Sequence, residues 1–292
     1  MSIRVRHNAA SDTVVLHERA RRYEGRSREG ALSIKSMSGG VATYVTRRGR
    51  YRVDDGSYLV LNHGTSYSIS IDEPRPVESF CIFFAPGLVE GVLRALTTPE
   101  ERLLGEPAPV DVSPADVCER TYPHDRALTP LLMRLREASS RSWAESGWWD
   151  ERLHTLAACV VKVDRESRRE AAAISAVRRS TREERYRRLH RARDYMEASL
   201  GEPLRLADIA DVAAMAPFHF LRAFKELFGV TPHRYLVARR LERAKRLLLT
   251  TDLSVTEVGL SVGFDSLGSF SSLFRRRTAA SPEAYRRRQT TK

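Results

Sequence analysis

The sequence predicts an α+β chain in two parts. A small β-barrel or sandwich with a helical segment comes first. An all-α region with two helix-turn-helix units joined by a long helix follows. Three observations predict this. Between Ala31 and Phe84, apolar and polar residues alternate at period two, and turn residues interrupt them at close spacing. From Tyr186 onward, apolar residues recur at helical spacing. The helical region also repeats itself. Phe220, Phe224, Thr231, Pro232 and Tyr235 return 50 positions on as Phe270, Phe274, Ser281, Pro282 and Tyr285, and Ile209 and Ala210 return 49 positions on as Val258 and Gly259. The offset changes by one in what reads as a turn. A unit of apolar helix, tight turn, second helix, Thr/Ser-Pro and Tyr thus occurs twice.

With 292 residues the chain is long enough for two domains, and 42% apolar residues can fill their cores. No apolar run approaches a membrane span, and residues 1–30 lack the apolar stretch of a secretory signal. Cys81, Cys118 and Cys159 are odd in number and scattered, which predicts free thiols in a reducing cytoplasm; they read as small buried hydrophobes rather than redox sensors. The net charge of +12 is unevenly placed. Residues 178–292 hold 24 Lys+Arg against 13 Asp+Glu, whereas residues 1–177 hold 25 against 24. The excess therefore sits with the repeated helices, and a basic compact domain points to a polyanionic partner. The basic residues do not line a continuous apolar face of the kind that a membrane-surface helix needs.

In chain order, residues 1–30 read as a flexible basic arm and 31–165 as one domain. Asp54-Asp55-Gly56 and Asn62-His63-Gly64 separate alternating runs and are read as hairpin turns; Ser79–Phe84 is a continuous apolar strand. Residues 86–125 are Pro-rich, with a short helix and loops. Leu128, Leu131, Leu132 and Leu135 form one helical stripe, and Leu153, Leu156, Val160 and Val163 another. These two helices can pack on the barrel, pair with a second chain, or share both roles. Residues 166–183 are charged without an apolar stripe and read as a linker, partly helical. Residues 184–292 form the second domain.

Within that domain, Gly201-Glu202-Pro203 stops a helix that begins near Tyr186. Pro217 opens the second helix of unit one, and Gly229 ends it. Phe220, Ala223, Phe224 and Leu227 face inward. Phe218, Leu221, Arg222 and Lys225 form the opposite face, which is the one expected in a DNA major groove. Phe218 either widens the core stripe or contacts thymine methyls. Arg222 can hold guanine O6 and N7 with its planar fork, or serve as a phosphate clamp. Lys225 is expected on phosphate. His219 is expected to pack or touch phosphate, since no metal partner lies at ligand spacing. A helix from Tyr235 to Thr250 follows Thr231-Pro232. In unit two, Ser254 and Glu257 make a capping box, Gly263 allows the turn, and Asp265 or Ser266 caps the second helix. Its outward face carries Gly268, Ser271, Ser272, Arg275 and the adjacent Arg276. These predict phosphate gripping and shape sensing more than base readout.

The strings LADIADVAAM, FLRAFKELFGVTPHRYL, RLERAKRLLL, LSVTEVGLSVGF and SPEAYRRR make residues 186–288 resemble the DNA-binding domain of AraC/XylS-type transcription regulators. The resemblance implies seven helices holding two helix-turn-helix units. Three departures stand out: Ala216 replaces the usual capping Ser, Ser272 a common Arg, and Thr278-Ala279-Ala280 the usual Gly-containing turn. More loosely, YRVDDGSYLVLNHGTSYSI resembles the cupin-like sensor domains that precede this DNA-binding domain. It implies a cupin-like β-barrel with a helical dimerisation segment, a small-molecule effector and a homodimer. Double-stranded DNA, and RNA polymerase with it, are the implied macromolecular partners. His63 has no HxH companion, so neither a metal nor another cofactor is expected. Tyr44, Tyr51, Tyr58 and Tyr67 either line a pocket or fill the core. Three functions follow: an effector-responsive transcription regulator, an effector-independent architectural DNA-binding protein, and a DNA-tethered cupin enzyme. The last is disfavoured by the missing metal ligands and by the lack of Walker, GxSxG or HExxH motifs.

Overall fold

The computed structural model describes residues 2–7, 12–99, 102, 114–141, 146–174 and 178–290, with residues 2–7, 146 and 288–290 given by backbone alone. It divides into two compact units, Met1–Arg187 and Arg188–Lys292.

The first unit is a nearly closed β-barrel with helices on one face. Its strands are β1 (Ser2–His7), β2 (Val14–Ser27), β3 (Ser33–Ser38), β4 (Ala42–Thr46), β5 (Arg50–Val53), β6 (Ser57–Leu61), β7 (Tyr67–Phe83) and β8 (Arg120–Pro123). The sheet order is β1-β2-β7-β3-β6-β8, with β4 bridging β7 to β5. All its pairings are antiparallel. Residues 14–27, read in the sequence as part of a flexible arm, are a central strand paired along β7. Tyr67–Ile71 and Ser79–Phe83 belong to one long strand. Residues 73–76, with Pro74 and Pro76, bulge out between the Ala20–Val77 and Arg22–Asp72 pairs, so the prolines break no ladder bond.

The two turns read as hairpins are corners. β5 pairs with β4, while β6 pairs with β3 and β8, so the strands on either side of Asp54-Asp55-Gly56 do not pair with each other. The same holds for Asn62-His63-Gly64. An Asp-Gly turn reports a chain reversal and leaves the pairing partner open; here Gly56 N–H donates to Asp54 Oδ1 at 3.0 Å.

Alternation sorts each strand between two cores. Along β6 and β7, Tyr58, Val60, Phe80 and Ile82 face the helices, while Leu59, Leu61 and Cys81 face the barrel interior. Burial on both faces explains why Ser79–Phe84 reads as an unbroken apolar run. Among the described residues, three helices cover the outer face: α1 (Leu88–Thr97), α2 (Thr129–Arg141) and α3 (Ser146–Ala172). Leu128, Leu132, Leu135, Leu153, Leu156 and Val160 are buried against Ile34, Val60 and Phe80. The stripes therefore pack on the barrel, each fully buried Leu contributing about 1.5–3 kcal/mol.

Residues 166–172, read as part of a partly helical linker, continue α3. Helix α4 (Arg179–Ala198) begins before the Tyr186 start read in the sequence. Ion pairs rather than an apolar stripe support these turns: Arg168 to Asp164 at 2.6 Å and Arg179 to Glu183 at 2.8 Å, each one helical turn apart.

The remaining helices of the second unit are α5 (Leu206–Val212), α6 (Pro217–Phe228), α7 (Pro232–Thr250), α8 (Val255–Ser261), α9 (Leu267–Thr278) and α10 (Pro282–Thr290). Two separate cores hold them. Met196, Ile209, Phe220, Phe224 and Leu236 lie in one, and Leu241, Leu248, Val258, Phe270 and Phe274 in the other. Helix α7 gives residues to both, so one helix is the shared wall of two small domains.

Candidate nucleic-acid interface

The sequence echo is a geometric echo. In unit one, Met215 N–H donates to Ala210 O at 3.0 Å; in unit two, Phe264 N–H donates to Gly259 O at the same distance. Each bond closes the first helix of its unit onto the turn. Ala214 and Gly263 occupy the left-handed position of these turns, with φ of 50° and 88°. All these pairs are 49 apart, so the extra residue of unit two lies after Phe264, in the turn. The aromatic cores repeat as well. Phe220 and Phe224 lie 5.4 Å apart, and Phe270 and Phe274 lie 5.5 Å apart. Tyr235 meets Phe224 edge-on at 5.6 Å, as Tyr285 meets Phe274 at 5.5 Å.

The caps follow local chemistry. Thr231 accepts from Arg234 N–H, and Ser254 and Glu257 form the reciprocal capping box. Ser266, rather than Asp265, caps α9 by accepting from Ser269 N–H at 3.2 Å. Ala216 stands at the N-cap of α6 with no side-chain bond, leaving Pro217 to start that helix. At the end of α9, Ala279 takes the left-handed position with φ of 58°, where its counterpart Gly229 has φ of 72°. An L-residue there costs roughly 1–2 kcal/mol. Ala279→Gly and Ala214→Gly should each raise the stability of the second unit by about 1 kcal/mol, readable as a shift of its urea midpoint.

Helix α6 presents the face predicted for it. Phe220, Ala223 and Phe224 are buried, and Leu227 is half-buried. Phe218 is 74% exposed, so it does not widen the core stripe. His219, Arg222 and Lys225 are exposed, and Leu221 is half-buried. On α9, Gly268, Ser272, Arg275 and Arg276 are exposed and Ser271 is half-buried. Among the described residues, Arg222, Lys225, Arg275 and Arg276 have no carboxylate within ion-pair distance. Other cations of this unit do: Arg239 binds Glu197 at 2.5 Å and Lys245 binds Glu242 at 2.8 Å. The positive charge on the two outward faces is therefore uncompensated, as a phosphate-binding surface requires. Helix α7 has 19 residues, so it spans about 28 Å along its axis.

Sequence reasoning missed the groups that fasten α7 to α4 and to the chain after it. Glu197 accepts from Tyr235 Oη at 2.6 Å as well as from Arg239. Burial and the neighbouring Glu197 carboxylate push the Tyr235 phenol far above its ordinary pKa, so it stays a donor. Arg240 donates to Leu200 O at 2.8 Å and to Glu202 O at 2.7 Å, tying α7 to the chain after α4. A basic residue in a basic helix gives no sequence signal of that inward role.

Comparison with known proteins decides the family. The model described as the AraC-like ligand binding domain matches residues 11–157, half of the chain, and the model described as a helix-turn-helix domain matches residues 209–288. The chain belongs to the AraC family. Two curated relatives each match about a third of the chain. It is 36% identical over 92 residues to the probable transcriptional regulator LumQ of Photobacterium leiognathi, covering 32% of this chain and 37% of LumQ. It is 42% identical over 106 residues to the transcriptional activator NphR of a Rhodococcus species, covering 34% of this chain and 31% of NphR. The matched segments thus span about a third of either relative's length. Among solved structures, the DNA-binding domain of AdpA, in complex with a target DNA, is 34% identical. That match covers 35% of this chain and 93% of AdpA's domain, with a TM-score of 0.35.

No helix among the described residues is long and apolar enough to cross a membrane. Among the same residues, no group of three or more His, Cys, Asp or Glu side chains is placed to hold a metal ion, and His63 is exposed.

Proposed function

We propose that this AraC-family chain is a sequence-specific DNA-binding transcription regulator that responds to a small-molecule effector through its barrel. The observation that carries the reading is the pair of repeated helices, α6 and α9, with outward faces that hold uncompensated Arg and Lys side chains. The unit-one face combines a fork donor, Arg222, with an exposed aromatic, Phe218, and reads bases. The unit-two face offers Ser271, Ser272, Arg275 and Arg276 and grips phosphate. Phe218, His219, Leu221, Lys225 and Gly268 complete the contact surface. The protein acts in the cytoplasm as a homodimer on double-stranded DNA, alongside RNA polymerase, and the regulator role needs no catalysis and no cofactor.

The division of labour gives a direct test. Replacing Arg275 and Arg276 by Ala should weaken binding almost equally on all sequences and lower the salt slope of log K by about 2. Titrations of full-length protein on two unrelated duplexes between 50 and 200 mM salt (roughly the range over which such slopes are read) measure both. A loss confined to one sequence would contradict the assignment.

The weakly specifying α9 keeps an effector-independent architectural role as the second reading. A thermal-shift screen of the full chain against small metabolites separates the two, because a ligand that binds only the folded state must raise Tm.

A further inference from the structure

Helices α6 and α9 sit in separate cores that share α7, and one shared helix does not by itself stop the two cores from turning about its axis. Leu200 lies with Phe220 and Phe224 in the first core, and Val262 lies with Phe270 and Phe274 in the second. A second attachment joins these cores beside α7. Arg240, half-buried on α7, donates from Nε to Leu200 O at 2.8 Å and from Nη2 to Glu202 O at 2.7 Å. Its planar fork thus holds two carbonyls of the segment that follows α4. The same guanidinium rests against the turn of helix-turn-helix unit two. A Cβ built on Gly263 would lie 2.6 Å from Arg240 Nη2 and 2.7 Å from its Cζ. Asp265, next to the Ser266 cap of α9, is near enough to attract the guanidinium.

At this attachment the backbones meet with no side chain between them. A Cβ on Gly201 would lie 2.7 Å from Ser261 O, and a Cβ on Gly263 would lie 2.5 Å from Leu200 O. Both distances are too short for a Cβ, so glycine on each side is what permits the approach. Ser261 is the last residue of α8. The end of α4 is therefore pressed against the end of α8 and the turn after it. A close-packed contact of this kind transmits displacement rather than absorbing it. Turning one core about α7 would break both Arg240 bonds and open both glycine contacts together.

We propose that Arg240 is a positioning residue for DNA recognition: it locks the chain after α4 onto the turn of unit two, and so fixes the distance and angle between α6 and α9 and the spacing of the two sites they accept. The inference rests on the reading of α6 and α9 as the DNA-contacting helices and adds what sets their spacing. Each base pair inserted between two sites moves one of them by about 3.4 Å along the duplex and turns it by about 35° about the axis. Helices held at one distance and angle cannot follow that step, whereas helices joined through α7 alone can follow it by turning. Arg240 commits Nε and Nη2 to protein carbonyls, so it orients the helices that touch DNA rather than serving as one more phosphate clamp.

The experiment uses the full chain. Duplexes carry the preferred α6 site with the weaker α9 site at its natural spacing, moved by one base pair either way, or scrambled. They are titrated with the wild type, Arg240→Met, Arg240→Lys and Gly201→Ala. In the wild type, moving the weaker site should cost as much as scrambling it, on the order of 5-fold. In Arg240→Met, scrambling should still weaken binding, but the move should cost less than about twofold. Arg240→Lys keeps the charge without the fork and should fall between them. Gly201→Ala adds a methyl that must push Ser261 away, so it should give the Arg240→Met pattern with Arg240 intact, and the test survives a variant that fails to fold. Uniformly weaker binding by Arg240→Met, with a moved site still as costly as a scrambled one, would overturn the proposal. Distances between spin labels at Glu226→Cys on α6 and Arg277→Cys on α9, with Cys159→Ser, read the same lock without DNA. The wild-type distribution should be narrow and that of Arg240→Met broad; equal widths would overturn the proposal. If the second site adds nothing to wild-type binding, the two-site reading falls, and the label distances still decide whether Arg240 fixes the two helices.

Discussion

Gly263→Ala should destabilise the second unit by about 3 kcal/mol, more than any other single methyl added there. Two costs add. Gly263 has φ of 88°, a region where an L-residue costs roughly 1–2 kcal/mol. A Cβ at this position would also lie 2.5 Å from Leu200 O and 2.6 Å from Arg240 Nη2. The backbone carbonyl cannot retreat easily, and moving Arg240 breaks its bonds to Leu200 O and Glu202 O. Crowding of that kind costs about 1–3 kcal/mol. Gly229→Ala is the control: its φ is 72°, but nothing lies within 4 Å of the added carbon, so only the conformational cost of about 1 kcal/mol applies. Hydrogen exchange read by mass spectrometry on the full chain separates the two. In Gly263→Ala, core amides of residues 209–274 should exchange on the order of 100-fold faster. In Gly229→Ala the change should be several-fold. Equal effects in the two variants would mean that the contact with Leu200 and Arg240 carries no weight.

Arg222→Ala should lower affinity for a preferred duplex by about 10- to 100-fold and relax specificity at one guanine position, with little loss on unrelated DNA. A bidentate Arg–guanine contact contributes about 1–3 kcal/mol of discrimination. The side chain is exposed on the outward face of α6 and, among the described residues, is not held by any carboxylate, so its donors are available without breaking an ion pair. Lys cannot reproduce the planar fork, so Arg222→Lys should recover general affinity without recovering the guanine preference. Competition titrations with duplexes changed one base pair at a time check this. A uniform loss on all sequences would make Arg222 a phosphate clamp instead.

The repeated unit was legible because its signals are local and numerous. Phe220/Phe270, Phe224/Phe274 and Tyr235/Tyr285 each fix a core contact, and their common offset places both helix pairs without knowledge of the partner elements. The outward faces of α6 and α9 follow from those inward faces by helical geometry alone. The barrel was legible as a class and poorly legible in detail. Turn residues at 54–56 and 62–64 mark where the chain reverses, but pairing there is decided by long-range contacts such as β3 with β6 and β7.

Strand β8 was missed because Arg120 reads as a surface residue. In the fold it is buried, with its guanidinium 4.3 Å from the Tyr122 ring and a hydrogen bond to Ser167 at 3.2 Å. Residues 166–172 and 179–185 were read as only partly helical for the opposite reason, since turns held by ion pairs carry no apolar period. The burial of Lys35 was invisible for a third reason. In the run Ser33-Ile34-Lys35-Ser36-Met37, a lysine opposite an isoleucine looks like the solvent side of a strand, yet both sides of β3 are buried.

Selection of binding sites from a random DNA pool by the full-length protein at physiological salt tests the central claim most directly. The account predicts a motif with a strong guanine-containing box read by α6 and a weaker box about one helical turn away, gripped by α9. Retained binding with no sequence motif, both alone and in the presence of a stabilising ligand, would contradict it and leave the chain an architectural DNA-binding protein.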